Sequence, residues 1–398
     1  MKNVAPASLK TNFCIIFAGY LAAIHVGKLS AGLPILQQEI GLSLTQAGLA
    51  LSLVQAAGMC FALSLGGLSQ YFGLKRCLIL SLVILGCASM GSLWINDLYS
   101  LFIFRFIEGV GFLFITLCAP TLLKQLSTPE SLNLKMGLWG SYMGLGVGLA
   151  LLFIPLLLEF WSWQQIWNML GLSCLLLAAV AYLQLPPINK IQNSSPPLFI
   201  KLLKTTLSHP PVLILALIFA CYTSQWLTVI GFLPTLYLDE QISLKVAGTL
   251  TALVSVSNIL GTFTSGFLLH RGLAPVRLIS TGFILMVMMC WLAFSTYFNL
   301  SFGLKYLAIM VFSILGGFIP TTIFAISLHY APQPNATAAS IGLVLQVSAF
   351  AQLTVPPLTA ALISYTQLWS MIAWVSTILS VLGLILTIQL FQRYPYRI

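Results

Sequence analysis

The stretch PILQQEIGLSLTQAG (residues 34–48) returns as PTLYLDEQISLKVAG (residues 234–248), 200 positions later and without a gap. Pro34 falls on Pro234, Ser43-Leu44 on Ser243-Leu244, and Ala47-Gly48 on Ala247-Gly248. The register persists through Leu53-Val54 on Leu253-Val254, Gly66 on Gly266, Leu68 on Leu268, Leu78-Ile79 on Leu278-Ile279 and Ile84-Leu85 on Ile284-Leu285. Leucine coincidences are common in apolar sequence, so the weight rests on the Pro, Ser and Gly matches. A register kept over residues 34–85 and 234–285 means that one structural unit occurs twice in the chain.

Composition says what kind of unit it is. Of 398 residues, 59% are hydrophobic and only 6% charged, with a mean hydropathy of +1.01. That excludes a water-soluble fold. A helix needs about 20 mostly apolar residues to cross the roughly 30 Å hydrocarbon layer. Runs of that kind lie at 12–36, 45–69, 76–95, 98–123, 135–158, 163–185, 211–236, 246–269, 275–296, 302–330, 335–363 and 367–391. The reading is an all-α membrane protein of twelve transmembrane helices. The first run follows Lys2 and Lys10 but is too long for a secretory leader and has no small-residue cleavage pattern, so it is read as the first span.

The net charge of +10 is scattered over short loops, which argues against a nucleic-acid surface. It reports orientation instead. With both termini cytoplasmic, most of the Lys and Arg fall inside, and the outside loops hold only Lys245 and Lys305. Glu39, Asp97, Glu159, Asp239 and Glu240 fall outside. Both repeats therefore begin on the same side and are parallel. The polar stretch 187–210 reads as a cytoplasmic linker between an N-terminal six-helix bundle, 1–186, and a C-terminal one, 211–398. The eight cysteines lie singly, with no metal-ligand spacing, and read as small buried residues; no metal or cofactor is expected.

Two motifs carry a resemblance. Gly66-Gly67-Leu68-Ser69-Gln70-Tyr71-Phe72-Gly73-Leu74-Lys75-Arg76 resembles the loop signature GxLaDRxGRK of the major facilitator superfamily, with a partial copy at Gly266-Phe267-Leu268-Leu269-His270-Arg271. Gln70 stands where that family has Asp, and Tyr71 where it has Arg. Arg105-Phe106-Ile107-Glu108-Gly109-Val110-Gly111 resembles the family's RxxQGxG, with Glu108 in the place of Gln. Gly32-Leu33-Pro34, Gly41-Leu42-Ser43 and Ala47-Gly48 are similar to the cyanate and nitroimidazole permease branch. The resemblance implies a transporter working by alternating access, with substrate near the midplane between two parallel six-helix repeats. It also implies a cavity lined by the first, fourth, seventh and tenth helices. For Gly66, Gln70, Gly73, Lys75, Arg76, His270 and Arg271 it implies a part in the conformational switch. The Gly-Pro pair of the family's antiporters is missing from the fifth span, where Gly140, Gly144 and Gly148 form a small-residue packing ridge.

Four strongly ionisable side chains fall well inside spans: His25 and Lys28 in the first, Arg105 and Glu108 in the fourth. An unpaired charge at the bilayer centre costs at least roughly 2.5–3.5 kcal/mol, so these groups must face each other or water. His25 and Lys28 are three apart and share a helix face, as do Arg105 and Glu108. Two cations and one carboxylate around one wet cavity favour an anionic substrate held by Lys28, Arg105 and His25. Glu108 and His25 are the candidates for proton coupling. At the positions matching His25 and Lys28 the second half has Gln225 and Thr228, which could hydrogen-bond the same ligand. The leading reading is proton-coupled transport of a small organic anion by a monomer in a bacterial inner membrane. Efflux of amphipathic drugs or metabolites is the alternative. A membrane-embedded enzyme is the reading from another class; short loops and the lack of paired carboxylates argue that the chain is not one. Trp161, Trp163 and Trp167 read as interfacial anchors.

Overall fold

The computed structural model describes residues 9–128, 135–136, 138–186, 203–295, 297–327, 329–333 and 336–396. The described residues are helical throughout, with no strand. This is what a chain immersed in hydrocarbon requires, because a helix satisfies its backbone groups within itself. The principal helices are α1 (Leu9–Ile40), α2 (Leu44–Ser52, a 3-10 turn at Leu53–Gln55, then Ala56–Phe72), α3 (Leu74–Met90), α4 (Leu98–Leu126), α5 (Tyr142–Leu157) and α6 (Trp163–Gln184). After them come α7 (Pro210–Asp239), α8 (Leu244–His270), α9 (Pro275–Phe294), α10 (Phe302–Gly316 and Phe318–Ser327), α11 (Thr337–Thr366) and α12 (Met371–Arg393). Eleven of these are long and apolar enough to cross a membrane; α5 is apolar but has 16 residues.

Local chemistry sets the ends. Ser43 with Gln46, Asp97 with Ser100 and Ser162 with Gln165 form reciprocal capping boxes that start α2, α4 and α6. The amide and hydroxyl of Ser100 hold the Asp97 carboxyl below the usual range. Gly73 (φ 94°) breaks the chain between α2 and α3, and Gly272 (φ 82°) does so after α8. The turn after α1 uses Gly41 at φ 74°, whereas its repeat counterpart Gln241 adopts φ 63°. A side chain in the left-handed region costs about 1 kcal/mol. Gln241→Gly is therefore expected to raise the melting temperature by the equivalent of up to about 1 kcal/mol, and Gly41→Gln to lower it; thermal unfolding in detergent reads both.

Packing repeats at a step of six helices. α1 lies on α5, α3 on α4 and α6, and α2 on α4; α7 lies on α11, α9 on α10 and α12, and α8 on α10. Between these two sets, α2 packs on α11, α5 on α8 and α1 on α7. Ser30 Oγ donates to the carbonyls of Ile230 and Gly231 at 3.1 and 3.0 Å. Ser30 and Ile230 are counterparts under the 200-residue offset, so this contact joins equivalent points of α1 and α7. The repeated Ala-Gly pairs have the same job in both halves. Gly48 abuts Pro357 of α11, and Gly248 abuts Pro155 of α5. In the α5 ridge, Gly144 and Gly148 admit the α8 backbone and Val256, while Gly140 faces open space.

Two expectations about individual residues change. Trp161 is exposed, but Trp163 and Trp167 are only 2% and 1% exposed and belong to the interior. Cys60 and Cys87 are exposed; Cys14, Cys77, Cys118, Cys174, Cys221 and Cys290 are buried as expected.

Candidate functional site

His25, Lys28, Arg105 and Glu108 meet at one point, each no more than 1% exposed. α1 continues four residues beyond the expected end, to Ile40, and still delivers Lys28 to the level of Arg105. One Glu108 oxygen accepts from Lys28 Nζ, and the other accepts from Arg105 Nη1 at 2.6 Å. Lys28 also donates to Ser89 Oγ at 2.7 Å and lies 4.0 Å over the Trp167 ring. Ser89 in turn donates to the Trp167 carbonyl at 2.7 Å. Arg105 reaches the His25 carbonyl at 2.9 Å, and His25 Nδ1 stands 3.7 Å from the Glu108 carboxylate. Cys174 Sγ is 3.2 Å from the other ring nitrogen. Arg105 Nη2 is buried without a hydrogen-bond partner. With both cations and the carboxylate ionised, the cluster carries one surplus positive charge.

The walls around it are α2, α3 and α6, all from the first half of the chain. The wet cavity expected from the sequence does not surround these four residues: they are at most 1% exposed, and His25 and Lys28 meet Cys174, Ser89 and Trp167 of α3 and α6. Trp167, read from the sequence as an interfacial anchor, instead floors the cluster. Gln225 and Thr228 are not brought to it. Gln225 accepts from Ser376 at 2.6 Å and Ser380 at 3.0 Å in α12, and Thr228 donates to the Ser224 carbonyl at 2.7 Å. The geometry still obeys the repeat: His25 turns to α6 as Gln225 turns to α12.

Further polar bonds between the halves involve residues given no site role by the sequence. Gln55 donates to Gln352 at 3.1 Å, and its repeat counterpart Ser255 donates to the Gly144 carbonyl at 3.0 Å. Gln346 accepts from the Leu63 amide at 3.0 Å. The aligned polar positions 55 and 255 were the available signal.

The Major Facilitator Superfamily profile matches residues 12–351. The chain belongs to this superfamily of membrane transporters. An uncharacterized transporter of Rickettsia felis is 24% identical over 272 residues, 66% of this chain; the aligned part spans about 65% of that relative's length. Among solved structures, a bacterial homolog of the human lysosomal transporter Spinster, inward-facing and occupied, has a TM-score of 0.75 at 16% identity, covering 98% of this chain and 97% of its own. A D-xylose–proton symporter has a TM-score of 0.75 at 15% identity, covering 95% and 96%. The inward-open xylose transporter XylE from E. coli has 0.74 at 14%, covering 96% of each chain. At these identities the likeness is one of fold.

Within the superfamily signature, Gly66 and Gln70 lie in the helical backbone of α2, but their side chains are outside the described residues. Lys75 donates to the carbonyls of Tyr182, at 2.9 Å, and Leu185, neutralising the negative end of α6. Arg76 and His270 are exposed, and Arg271 lies 4.6 Å from the Phe267 ring. At the opposite end, Glu39 accepts from Trp163 at 2.6 Å and its counterpart Asp239 accepts from Trp369 at 3.2 Å, fastening α1 to α6 and α7 to the turn before α12. Lys245 and Glu159 join the halves there at 3.4 Å.

Proposed function

We propose that the chain is a secondary active transporter that carries a small organic anion by alternating access, coupled to protons. The observation that carries this reading is the buried surplus cation where α1 meets α4. Ionised Glu108 neutralises one of the two cations. If Glu108 takes a proton and the substrate anion takes its place against Lys28 and Arg105, the cluster keeps the same net charge. Moving one proton with one monovalent anion would thus avoid adding charge to a low-dielectric interior, where uncompensated charge is most costly. Arg105 Nη2, which has no hydrogen-bond partner, would complete a planar fork for a carboxylate with Nη1 once Glu108 releases the latter.

The proposal places twelve spans in two bundles, 1–186 and 211–398, with both termini cytoplasmic in a bacterial inner membrane and the protein acting as a monomer. Of the connecting stretch 187–210, residues 187–202 lie outside the described residues. Access to the cluster requires α1 or α4 to shift against α2, α3 and α6 within the first bundle as the two bundles rock, a movement for which Gly66, Gln70, Gly73, Lys75, Arg76, His270 and Arg271 form the basic-end loops. Gln225 and Thr228 serve the second bundle's matching position.

The test is flux of labelled small carboxylates into proteoliposomes with an imposed pH gradient. Wild type should accumulate carboxylate when the lumen is alkaline, and Lys28→Met should lose at least about tenfold of that rate while remaining folded. Uptake of lipophilic cations that ignores Lys28→Met would replace the anion reading with export of amphipathic compounds.

A further inference from the structure

The end of the second half opposite Asp239 holds a cavity of about 430 Å³ that the transport reading does not use. His209, His329, Tyr330, Arg393 and Tyr394 line it, together with Pro210 and Pro211 at the start of α7. The lining has three basic or imidazole side chains and no acid.

No acidic side chain of the second half can supply the missing charge. Residues 203–398 contain only Asp239 and Glu240, at the far end of the 30-residue α7, about 45 Å away by helix rise. Pro210 and Pro211 lack N–H groups, so the first turn of α7 presents the cavity with its positive dipole end but few donors. The donors must be side chains. His209 Nδ1 is buried without a hydrogen-bond partner and out of a ligand's reach, which leaves the other ring nitrogen of this half-buried side chain as its donor. His329 and Arg393 are exposed at the mouth.

The walls are assembled before any ligand arrives. Tyr330 donates to the Tyr394 carbonyl at 2.8 Å, and the His329 ring lies 4.7 Å from that of Tyr396. These contacts pin the α10–α11 turn to the residues after α12. Tyrosines at a helix end sit at the headgroup level of a bilayer, and basic pockets between helices at that level suit anionic headgroups. The volume is ample for one phosphate ester and its glycerol.

We propose that this cavity is a binding site for a phosphate-bearing anion, occupied by the headgroup of an anionic phospholipid. Arg393 supplies the forked donor, His209 and His329 supply N–H donors, and the tyrosine wall fixes the depth. The site is independent of the Lys28–Glu108 cluster and of any substrate.

The full-length protein is reconstituted in nanodiscs of phosphatidylcholine alone or with about one lipid in five phosphatidylglycerol. Lipid retention is read by native mass spectrometry after detergent extraction, and melting is followed with and without added glycerol phosphate. Wild type should keep one phosphatidylglycerol. Arg393→Gln with His329→Asn should lose it about tenfold, while Arg393→Lys keeps it in part. Equal melting of all variants in phosphatidylcholine alone separates lost binding from lost fold. If glycerol phosphate raises wild-type but not variant melting and no lipid is retained, the phosphate site stands but its occupant is soluble, which overturns the lipid assignment. Equal retention by wild type and variants, or no response to either probe, overturns the site.

Discussion

Glu108→Ala is expected to destabilise the protein by about 3–5 kcal/mol, the range for removing one partner of a buried ion pair, whereas Lys28→Met should cost less than about 1.5 kcal/mol. The asymmetry follows from charge. Without Glu108, the Lys28 ammonium and the Arg105 guanidinium are left together at 0% exposure with no counter-ion. Without Lys28, Arg105 and Glu108 remain a neutral pair at 2.6 Å, and a methionine thioether can take the place of the lysine stem over Trp167. Arg105→Met should fall between the two, because it leaves Lys28 paired but strips a donor from the His25 carbonyl. Unfolding in detergent, by heat or by steric trapping, measures the order. Equal losses for Glu108→Ala and Lys28→Met would mean that water reaches the cluster and screens it, and the charge-conserving scheme would fall with the result.

The cluster was legible because charge is so scarce in this chain. Four ionisable groups in apolar spans have few ways to be satisfied, and spacing of three along α1 and α4 put each pair on one face. What spacing could not give was the direction of that face. A helical period fixes which residues of α1 point together, but the rotation of α1 about its axis depends on what packs around it. Here Gly27 lets α5 close on one side, and Ser89 and Trp167 receive Lys28 on the other. Trp163 illustrates the same limit. An indole at the end of a span reads alike whether its N–H meets water at the bilayer surface or Glu39. The repeat, by contrast, carried more than topology. It aligned Glu39 with Asp239, each of which accepts from a tryptophan, and Gln55 with Ser255, each of which bonds to the opposite half.

Gly248→Leu should abolish most transport while leaving the protein folded. A Cβ on Gly248 would lie 2.5 Å from the Leu151 carbonyl oxygen and 2.5 Å from Pro155 Cγ, both in α5 across the interface between the halves. On Gly48 it would lie 3.0 Å from Pro357 Cα and 3.1 Å from Phe232 Cζ, so Gly48→Leu should act in the same direction and more weakly. Overpacking of this kind costs about 1–3 kcal/mol in the conformation that contains the contact. A conformation with these ends apart carries no such cost, so the equilibrium should shift toward it by roughly fivefold to 150-fold. The contacts within each half, such as Gly86 against Gly171 and Gly261 against Ile314, are untouched, and thermal unfolding should change little. The shift can be read with a cysteine at Ser30, which is 2% exposed between α1 and α7 and should label with an impermeant maleimide far faster in Gly248→Leu. A carrier that must close this end once per cycle cannot run when closure is blocked. Unchanged labelling together with unchanged flux would mean that the two halves do not separate along α5 and α8, and alternating access would need another pair of surfaces.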